Sequence, residues 1–177
     1  DDVESMADQA RRIASWGSNV NVKIPITNTK GESCVPLIGK LSSEGVQVNV
    51  TAVFTLDQVC NVAEVLAPQT PAIVSVFAGR IADTGVDPVP MMRDAVKALR
   101  TKPKAELIWA SPRELLNVFQ ADEVGCHIIT VTHDVLGKLG LVGKDLQEYS
   151  LETVSMFYRD AKAAGYTIRT QDSVAAE

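Results

Sequence analysis

The stretch Val20-Asn21-Val22-Lys23-Ile24-Pro25-Ile26 alternates between apolar and polar positions with a period of two. Such alternation is typical of a β-strand, because successive side chains point to opposite faces of a sheet. Lys23 lies on the polar side. A lysine in a strand usually meets solvent or protects a sheet edge, but its amine can also form a Schiff base with a carbonyl compound. This strand alone leaves both roles open.

Working outward from this strand, we find that strands and helices alternate along the chain. Further strands are predicted at 46–51, 72–77, 106–110 and 128–131. Helices are predicted at 3–15, 33–44, 56–66, 90–100, 112–121, 134–139 and 151–163, with Thr55 as a cap and a loop around 79–87. The alternation predicts an α/β fold in which crossover helices join parallel strands.

Composition excludes several classes of protein. The 177 residues include 46% hydrophobic and 22% charged residues, and the net charge is -5, which argues against a nucleic-acid-binding protein. We also expect no membrane segment. Cys34, Cys60 and Cys126 are far apart and lack a metal-ligand spacing, so we expect reduced thiols, a cytoplasmic protein and no metal site. We expect one domain over 1–177, with a flexible tail at 166–177.

Two architectures can hold five such βα units: a flavodoxin-like open sheet, or the last five units of a (β/α)8 TIM barrel. Strands buried on both faces of an open sheet are continuously apolar. Here, polar residues recur near the carboxyl ends of the strands, at Lys23, Asn49, Thr51, Ser75, Ser111 and Thr132. A barrel gathers these ends at one mouth, where barrel enzymes carry their active sites. The spacing therefore favours the barrel.

Three stretches carry a more specific similarity. They are Asn21-Val22-Lys23-Ile24-Pro25, Gln47-Val48-Asn49-Val50-Thr51-Ala52-Val53-Phe54 and Ser75-Val76-Phe77-Ala78-Gly79-Arg80-Ile81. In order and spacing they resemble successive motifs of the transaldolase family, which includes the smaller fructose-6-phosphate aldolases. Ala110-Ser111-Pro112-Arg113 is similar to the next strand end, and the final helix also resembles that of the family. The resemblance covers nearly the whole chain.

The resemblance implies a TIM barrel of the class I aldolase type whose Schiff-base lysine lies on strand four. With Lys23 as that lysine, the chain holds only strands four to eight. The family takes a catalytic Asp, an Asn, and a Glu or Gln from strands one to three, and none of these can be placed here. Since the chain also begins without a Met, we expect a truncated, processed or cleaved N-terminus.

The resemblance also implies roles for individual residues. Lys23 attacks the C2 carbonyl of a ketose phosphate, and Thr51 positions a water for proton relay. Ser75 and Arg80 contact the substrate, with Arg80 on its phosphate; a surface ion pair with Asp83 is the other interpretation of Arg80.

Phe77 is the residue that transaldolases carry where the aldolase branch carries Tyr. Ser111 and Arg113 are weaker matches, because Pro112 replaces a Phe and a few residues are missing there; Arg113 is either the second phosphate ligand or part of the next helix. Asn49 is counted with the substrate-binding residues without a defined role.

The remaining candidates lie outside the three motifs. Asn28, His133 and Asp134 lie near strand ends, without a defined role. His127 is predicted to be structural, and Trp16 and Trp109 are interpreted as packing residues.

These residues together indicate a transaldolase-like transferase that moves a dihydroxyacetone unit between sugar phosphates. It needs no cofactor, since the lysine supplies the electron sink. Homo-oligomerisation through the apolar C-terminal helix is expected. Two alternatives remain open: an aldolase that releases free dihydroxyacetone, which Phe77 disfavours, and a barrel-derived sugar-phosphate-binding protein without turnover.

Overall fold

In a computed structural model of the protein, residues 2–165, 167 and 168 are described. The described residues up to Gly137 form one compact unit, and those from Lys138 onward form a second. The predicted flexible tail, 166–177, falls outside the described residues except at 167 and 168. Within the part of the chain that is described, no helix has the length and apolar character needed to cross a bilayer.

The first unit contains a sheet of five parallel strands. They are β1 (Val22–Pro25), β2 (Val48–Val53), β3 (Ala72–Val76), β4 (Ala105–Trp109) and β5 (Ile128–Ile129). Their spatial order is β1-β2-β3-β4-β5, so each strand lies beside the next one in sequence. A flavodoxin-like sheet has the order 2-1-3-4-5. The sequential order confirms the prediction of five βα units of the barrel type and rules out the open-sheet alternative.

One helix precedes β1, and at least one helix follows each strand of this unit. They are α1 (Val3–Ala14), α2 (Val35–Ser43), α3 (Leu56–Val65), α4 (Ala78–Ala82), α5 (Val89–Leu99), α6 (Leu116–Glu123) and α7 (His133–Leu136). The predicted cap at Thr55 is confirmed: its side chain accepts a bond from the Gln58 amide, and the Gln58 side chain bonds back, which forms a capping box.

Two predictions about helices in this unit are wrong. The sequence favours a loop around 79–87, but the Phe77 carbonyl accepts bonds from the amides of Arg80 and Ile81, at 2.9 and 3.0 Å, and opens α4. The helix predicted at 112–121 begins only at Leu116, because Asn117 Oδ1 accepts from the backbone amide of Arg113 at 2.7 Å and so ties back the preceding turn.

β5 begins at the predicted residue but covers only the first two residues of the predicted 128–131. The two residues before it contact β4 through their side chains. His127 Nδ1 accepts a 3.0 Å bond from the Leu107 amide, and the Cys126 thiol lies 3.3 Å from the Leu107 carbonyl. The imidazole thus occupies a place that a strand carbonyl would otherwise take. The prediction of a structural His127 agrees with this contact.

The two faces of the sheet differ in character. One face belongs to the hydrophobic core with the helices, through residues such as Val48, Val50, Val74 and Leu107, all fully buried. Strand register places the other set of side chains on the opposite face. We call this opposite face the Lys23 face; its members are Lys23, Asn49, Thr51, Ile73, Ser75, Glu106 and Ile108.

The second unit consists mainly of α8 (Leu146–Ala164). This helix begins five residues before the predicted 151–163, because the Asp145 side chain accepts bonds from the amides of Gln147 and Glu148 and caps it. Gly165 ends the helix with a left-handed φ of 70°. The Lys144 ammonium pairs with Glu152, and this hydrogen bond raises the pKa of Lys144.

Candidate active site

Lys23 and Asn49 are register partners across β1 and β2 on the Lys23 face. Lys23 is exposed, and its amine forms no ion pair with the residues that the structure describes. The backbone amides of Val22 and Ile26, on either side, bond the carbonyls of Gln47 and Thr51 at 2.7 and 3.0 Å. The strand is therefore anchored to β2 while the amine remains accessible to a carbonyl compound.

A hydrogen bond joins two of the predicted substrate residues. Ser75 Oγ donates to Asn49 Oδ1 at 2.8 Å, and Ser75 is only 3% exposed. Because the amide oxygen is engaged, the Asn49 nitrogen presents its donors elsewhere on the Lys23 face. Asn49, which had no defined role in the sequence, is thereby fixed between Lys23 and Ser75.

Thr51 lies beside an irregularity in β2. The pairing of β2 with β3 shifts register between Val50 and Val53, and Ala52 has a left-handed φ of 58°. A non-glycine residue in this conformation is strained, and bulges of this kind often redirect side chains near active sites. Thr51 itself pairs with Pro25 of β1 and is partly buried. Its proposed role in positioning water stays a prediction.

Phe77 and Arg80 form an aromatic and cationic group after β3. The Phe77 ring lies 5.6 Å from that of Phe54, and the Arg80 guanidinium lies over Phe77 at 5.0 Å from its centroid. Such stacking holds an arginine in place without consuming its N–H donors. The alternative interpretation of Arg80, an ion pair with Asp83, is wrong: Asp83 pairs with Arg113 instead.

Ser111 and Arg113 follow β4 in a strained turn. Ser111 has a left-handed φ of 57°. A Cβ on Gly79 would lie 1.4 Å from the Ser111 carbonyl oxygen, so only glycine allows this approach of α4. Arg113 lies before α6, not within it, which disagrees with the interpretation of Arg113 as a helix residue.

A shallow cavity of about 360 Å³ lies at these strand ends. It is lined by Ser111, Pro112, Arg113, Thr130, Val131 and Thr132. The cavity therefore offers one guanidinium group and several hydroxyl groups.

Other candidates take structural positions. Asn28 Oδ1 accepts from the amides of Lys30 and Glu32 and organises the loop after β1. His133 and Asp134 are exposed in the first turn of α7. Trp109 is fully buried, which agrees with its interpretation as a packing residue, whereas Trp16 is 68% exposed and packs much less.

Two of the three cysteines lie in surroundings that affect their reactivity. Burial raises the pKa of the Cys34 and Cys126 thiols, which disfavours the reactive thiolate. Among the residues that the structure describes, no three side chains of His, Cys, Asp or Glu gather in a way that could hold a metal ion.

Glu106 is a residue of this face that the sequence reasoning missed. It is exposed and pairs in register with Ile73, which in turn pairs with Asn49. A carboxylate therefore shares the face with Lys23. The alternation of Glu106 with the buried Leu107 was the signal that could have identified it.

Comparison with known proteins identifies the family. The family model of transaldolase and fructose-6-phosphate aldolase matches residues 1–172. The chain belongs to this transaldolase family. The predicted family and the barrel-type fold are thereby confirmed.

Several relatives in the transaldolase family are similar in sequence. A probable transaldolase of Nitrosopumilus maritimus is 34% identical over 140 residues, which cover 78% of this chain and 60% of the relative. One of Thermoanaerobacter sp. is 34% identical over 169 residues, covering 95% and 72%. One of Dehalococcoides mccartyi is 39% identical over 137 residues, covering 77% and 60%. The chain thus spans about 60% of the length of the first of these relatives.

Proposed function

We propose that the protein acts as a transaldolase-like transferase, which moves a dihydroxyacetone unit between sugar phosphates through a Schiff base on Lys23. One observation carries the proposal: Lys23 and Asn49 are register partners on one face, and Ser75 is hydrogen-bonded to Asn49. Family membership and the relatives named as probable transaldolases support the same activity.

In the proposed reaction, the neutral Lys23 amine attacks the C2 carbonyl of a ketose phosphate, and loss of water forms an imine. The protonated imine accepts the electron pair of the C3–C4 bond, which breaks as the C4 hydroxyl loses its proton. An aldose phosphate leaves, and an enamine remains on Lys23. The enamine then attacks the aldehyde carbon of an acceptor, and water releases the new ketose phosphate.

Polar side chains of the Lys23 face supply the orientation that this reaction needs. The Asn49 amide donors suit the hydroxyl groups of the dihydroxyacetone unit, and Ser75 holds that amide. Thr51 positions water for proton transfer in the proposal, and Arg80 binds the substrate phosphate, for which a planar guanidinium is well suited. No cofactor takes part, since the imine itself is the electron sink.

Phe77 favours transfer over release of free dihydroxyacetone. Its ring packs between Phe54 and Arg80 and has no hydroxyl group that could activate water. An enamine beside such a ring is more readily consumed by an acceptor aldehyde than by protonation and hydrolysis. The lyase alternative requires that free dihydroxyacetone appear without an acceptor.

Isotope exchange tests the transfer. Cleavage of fructose 6-phosphate at C3–C4 yields glyceraldehyde 3-phosphate, so labelled glyceraldehyde 3-phosphate should enter fructose 6-phosphate while free dihydroxyacetone stays absent. Label exchange with accumulating dihydroxyacetone would support the lyase. Binding of fructose 6-phosphate without exchange would support a sugar-phosphate-binding protein instead.

We also propose that the protein acts in the cytoplasm and as a homo-oligomer. Three unpaired thiols, Cys34, Cys60 and Cys126, suit a reducing compartment. α8 carries Leu146, Val154 and Phe157 at spacings that place them along one side of the helix, where they suit an apolar contact between subunits. A monomer mass from light scattering on the complete protein would contradict the oligomer.

A further inference from the structure

We infer that Asp83 positions Arg113 to bind the phosphate group of the substrate. The inference rests on the proposed function in one respect: the natural ligand is the phosphate of a sugar phosphate. It adds a positioning residue that neither the sequence motifs nor the family comparison assigns. It also gives Arg113, the weaker of the two predicted phosphate ligands, a defined geometry.

The contact between the two side chains uses both atoms of the carboxylate. Arg113 Nε donates to Asp83 Oδ1 at 3.1 Å, and Arg113 Nη2 donates to Oδ2. This arrangement occupies one edge of the guanidinium group. A guanidinium has five N–H donors in a planar fork, so three remain, and two of these point outward along the Nη1–Nη2 edge. Within the described part of the chain, the guanidinium bonds only through Nε and Nη2, so Nη1 of Arg113 has no partner there. The remaining edge matches two oxygens of a phosphate.

Backbone contacts fix the two segments that carry this pair. The Gly79 amide donates to the Ala110 carbonyl at 3.2 Å, and the Gly79 Cα lies directly against the Ser111 carbonyl. The Asp83 amide donates to the Gly79 carbonyl at 3.1 Å. The backbone of Asp83 is thereby held relative to the turn that bears Arg113.

The two segments carry two cations, Arg80 and Arg113, and the carboxylate of Asp83 bonds the second of them. Arg80 lies on α4, three residues before Asp83, and stacks over Phe77. Within the described residues, no carboxylate lies within ion-pair distance of Arg80. Asp83 offsets the charge of Arg113, whereas the charge of Arg80 is not offset by an ion pair. The cavity lined by Arg113 adds hydroxyl donors from Ser111, Thr130 and Thr132.

Because the Asp83–Arg113 pair is exposed, its role in positioning Arg113 can be tested without a large loss of folding stability. The side chains of Asp83 and Arg113 are each 51% exposed, and ion pairs at such positions contribute little to folding. Neutralising Asp83 should therefore leave the fold intact and release the Arg113 side chain. Removing the negative charge also strengthens the attraction of Arg113 for phosphate, which opposes the loss of positioning. That second effect acts between groups that are not in contact, so salt screens it more strongly than it screens the direct two-hydrogen-bond contact of Asp83 with Arg113.

The experiment follows the Nε–Hε NMR signals of Arg80 and Arg113 in the full chain during titration with inorganic phosphate at raised ionic strength. Both signals should shift with one dissociation constant. Asp83→Asn should raise the dissociation constant for phosphate about three- to tenfold, as expected when one long side chain is no longer held in place. Glu114→Gln is the matched control, because it removes the same charge from an exposed neighbour of Arg113. It should leave the dissociation constant for phosphate unchanged or slightly lower.

Two further variants isolate the path through Arg113. Asp83→Asn should have no additional effect in an Arg113→Gln background, since Asp83 acts only through that arginine. Arg113→Lys keeps the charge but loses the two-donor edge, so it should weaken phosphate binding to a similar degree. This variant tests the Arg113 site independently of whether Asp83→Asn folds. Three results would overturn the inference. They are an Arg113 signal that does not shift with phosphate, unchanged or tighter phosphate binding in Asp83→Asn, and an effect of Asp83→Asn on binding that persists in the Arg113→Gln background.

Schiff-base formation on Lys23 provides a separate readout in the same protein. If borohydride reduction gives an adduct on Lys23 but the Arg113 signal does not shift with phosphate, only the positioning inference is overturned. A phosphate-responsive Arg113 without any adduct on Lys23 overturns the proposed function alone.

Discussion

The Ser75 hydroxyl donates a 2.8 Å hydrogen bond to Asn49 Oδ1 and so links β3 to β2 on the face that carries Lys23. Because Asn49 is also the register partner of Lys23, this bond connects a buried side chain to the immediate neighbour of the proposed nucleophile. The orientation of the Asn49 amide therefore depends on a group that a substrate need not touch.

Ser75→Ala should lower both the free energy of unfolding and the yield of the Schiff-base adduct on Lys23. The loss of a buried hydrogen bond costs about 1 kcal/mol of the free energy of unfolding. The freed Asn49 amide should also lower the yield of a Lys23 adduct with fructose 6-phosphate. Denaturant unfolding and mass spectrometry of the reduced adduct measure the two effects.

Ser42→Ala is the matched control for that prediction. Ser42 is fully buried and its Oγ accepts a 3.0 Å bond from the Ala67 amide, away from the Lys23 face. It should lose similar stability and keep the adduct yield. Equal yields in Ser75→Ala and Ser42→Ala would contradict a role for the Ser75–Asn49 bond.

Gly79→Ala should severely destabilise the first unit. The added methyl group would lie 1.4 Å from the Ser111 carbonyl oxygen, and backbone on both sides would have to move. We expect a loss of about 3 kcal/mol or more from overpacking. Gly137→Ala is the control, because nothing lies within 4 Å of its added methyl group and its φ is -58°. Chemical denaturation should find that control unchanged or slightly stabilised; similar losses in both variants would refute the account of the α4 contact.

His127→Ala should destabilise the edge between β4 and β5. The substitution removes the acceptor for the Leu107 amide, which costs about 1 kcal/mol. Hydrogen exchange at the Leu107 amide should accelerate. His133→Ala, at an exposed position, should leave both the stability and that exchange rate as they are. Unchanged protection of Leu107 in His127→Ala would show that the imidazole is not its partner.

The contact of Glu44 with Arg11 should make the folding stability depend on pH. Its hydrogen bond with Arg11 lowers the pKa of Glu44 in the folded protein. A carboxylate of this kind contributes stability above its unfolded pKa, and the contribution disappears as the pH falls through the folded pKa. Glu44→Gln should therefore be less stable than wild type near neutral pH, and the gap should close in acid.

Urea unfolding over a pH series measures that gap. The gap should be small because the pair is exposed. In an Arg11→Met background, Glu44→Gln should no longer change the stability. A gap that stays constant from neutral to acid pH would contradict the assignment.

The sequence predicts the order of the elements and much of the Lys23 face. Period-two alternation places Lys23, Asn49 and Ser75 on one side of neighbouring strands, and parallel pairing in sequential order brings those sides together. Local signals also identify the capping box at Thr55. Such features depend on residues close together in sequence, and for that reason they were predictable.

Features that depend on distant contacts were missed. Gly79 is typical of a loop, yet here it permits a close approach to Ser111, and α4 forms where a loop was expected. The Asp83–Arg113 pair joins residues thirty positions apart, so it depends on how two turns meet in space. The bond from the Leu107 amide to the His127 side chain likewise joins residues twenty positions apart.

Trapping of the imine tests the central claim most directly. The protein is incubated with fructose 6-phosphate, reduced with borohydride, digested and analysed by mass spectrometry, with Lys23→Arg as the control. The account predicts one reduced adduct on Lys23 that is absent from the control. A folded protein that carries no adduct, or one whose adduct lies on another lysine, would contradict it.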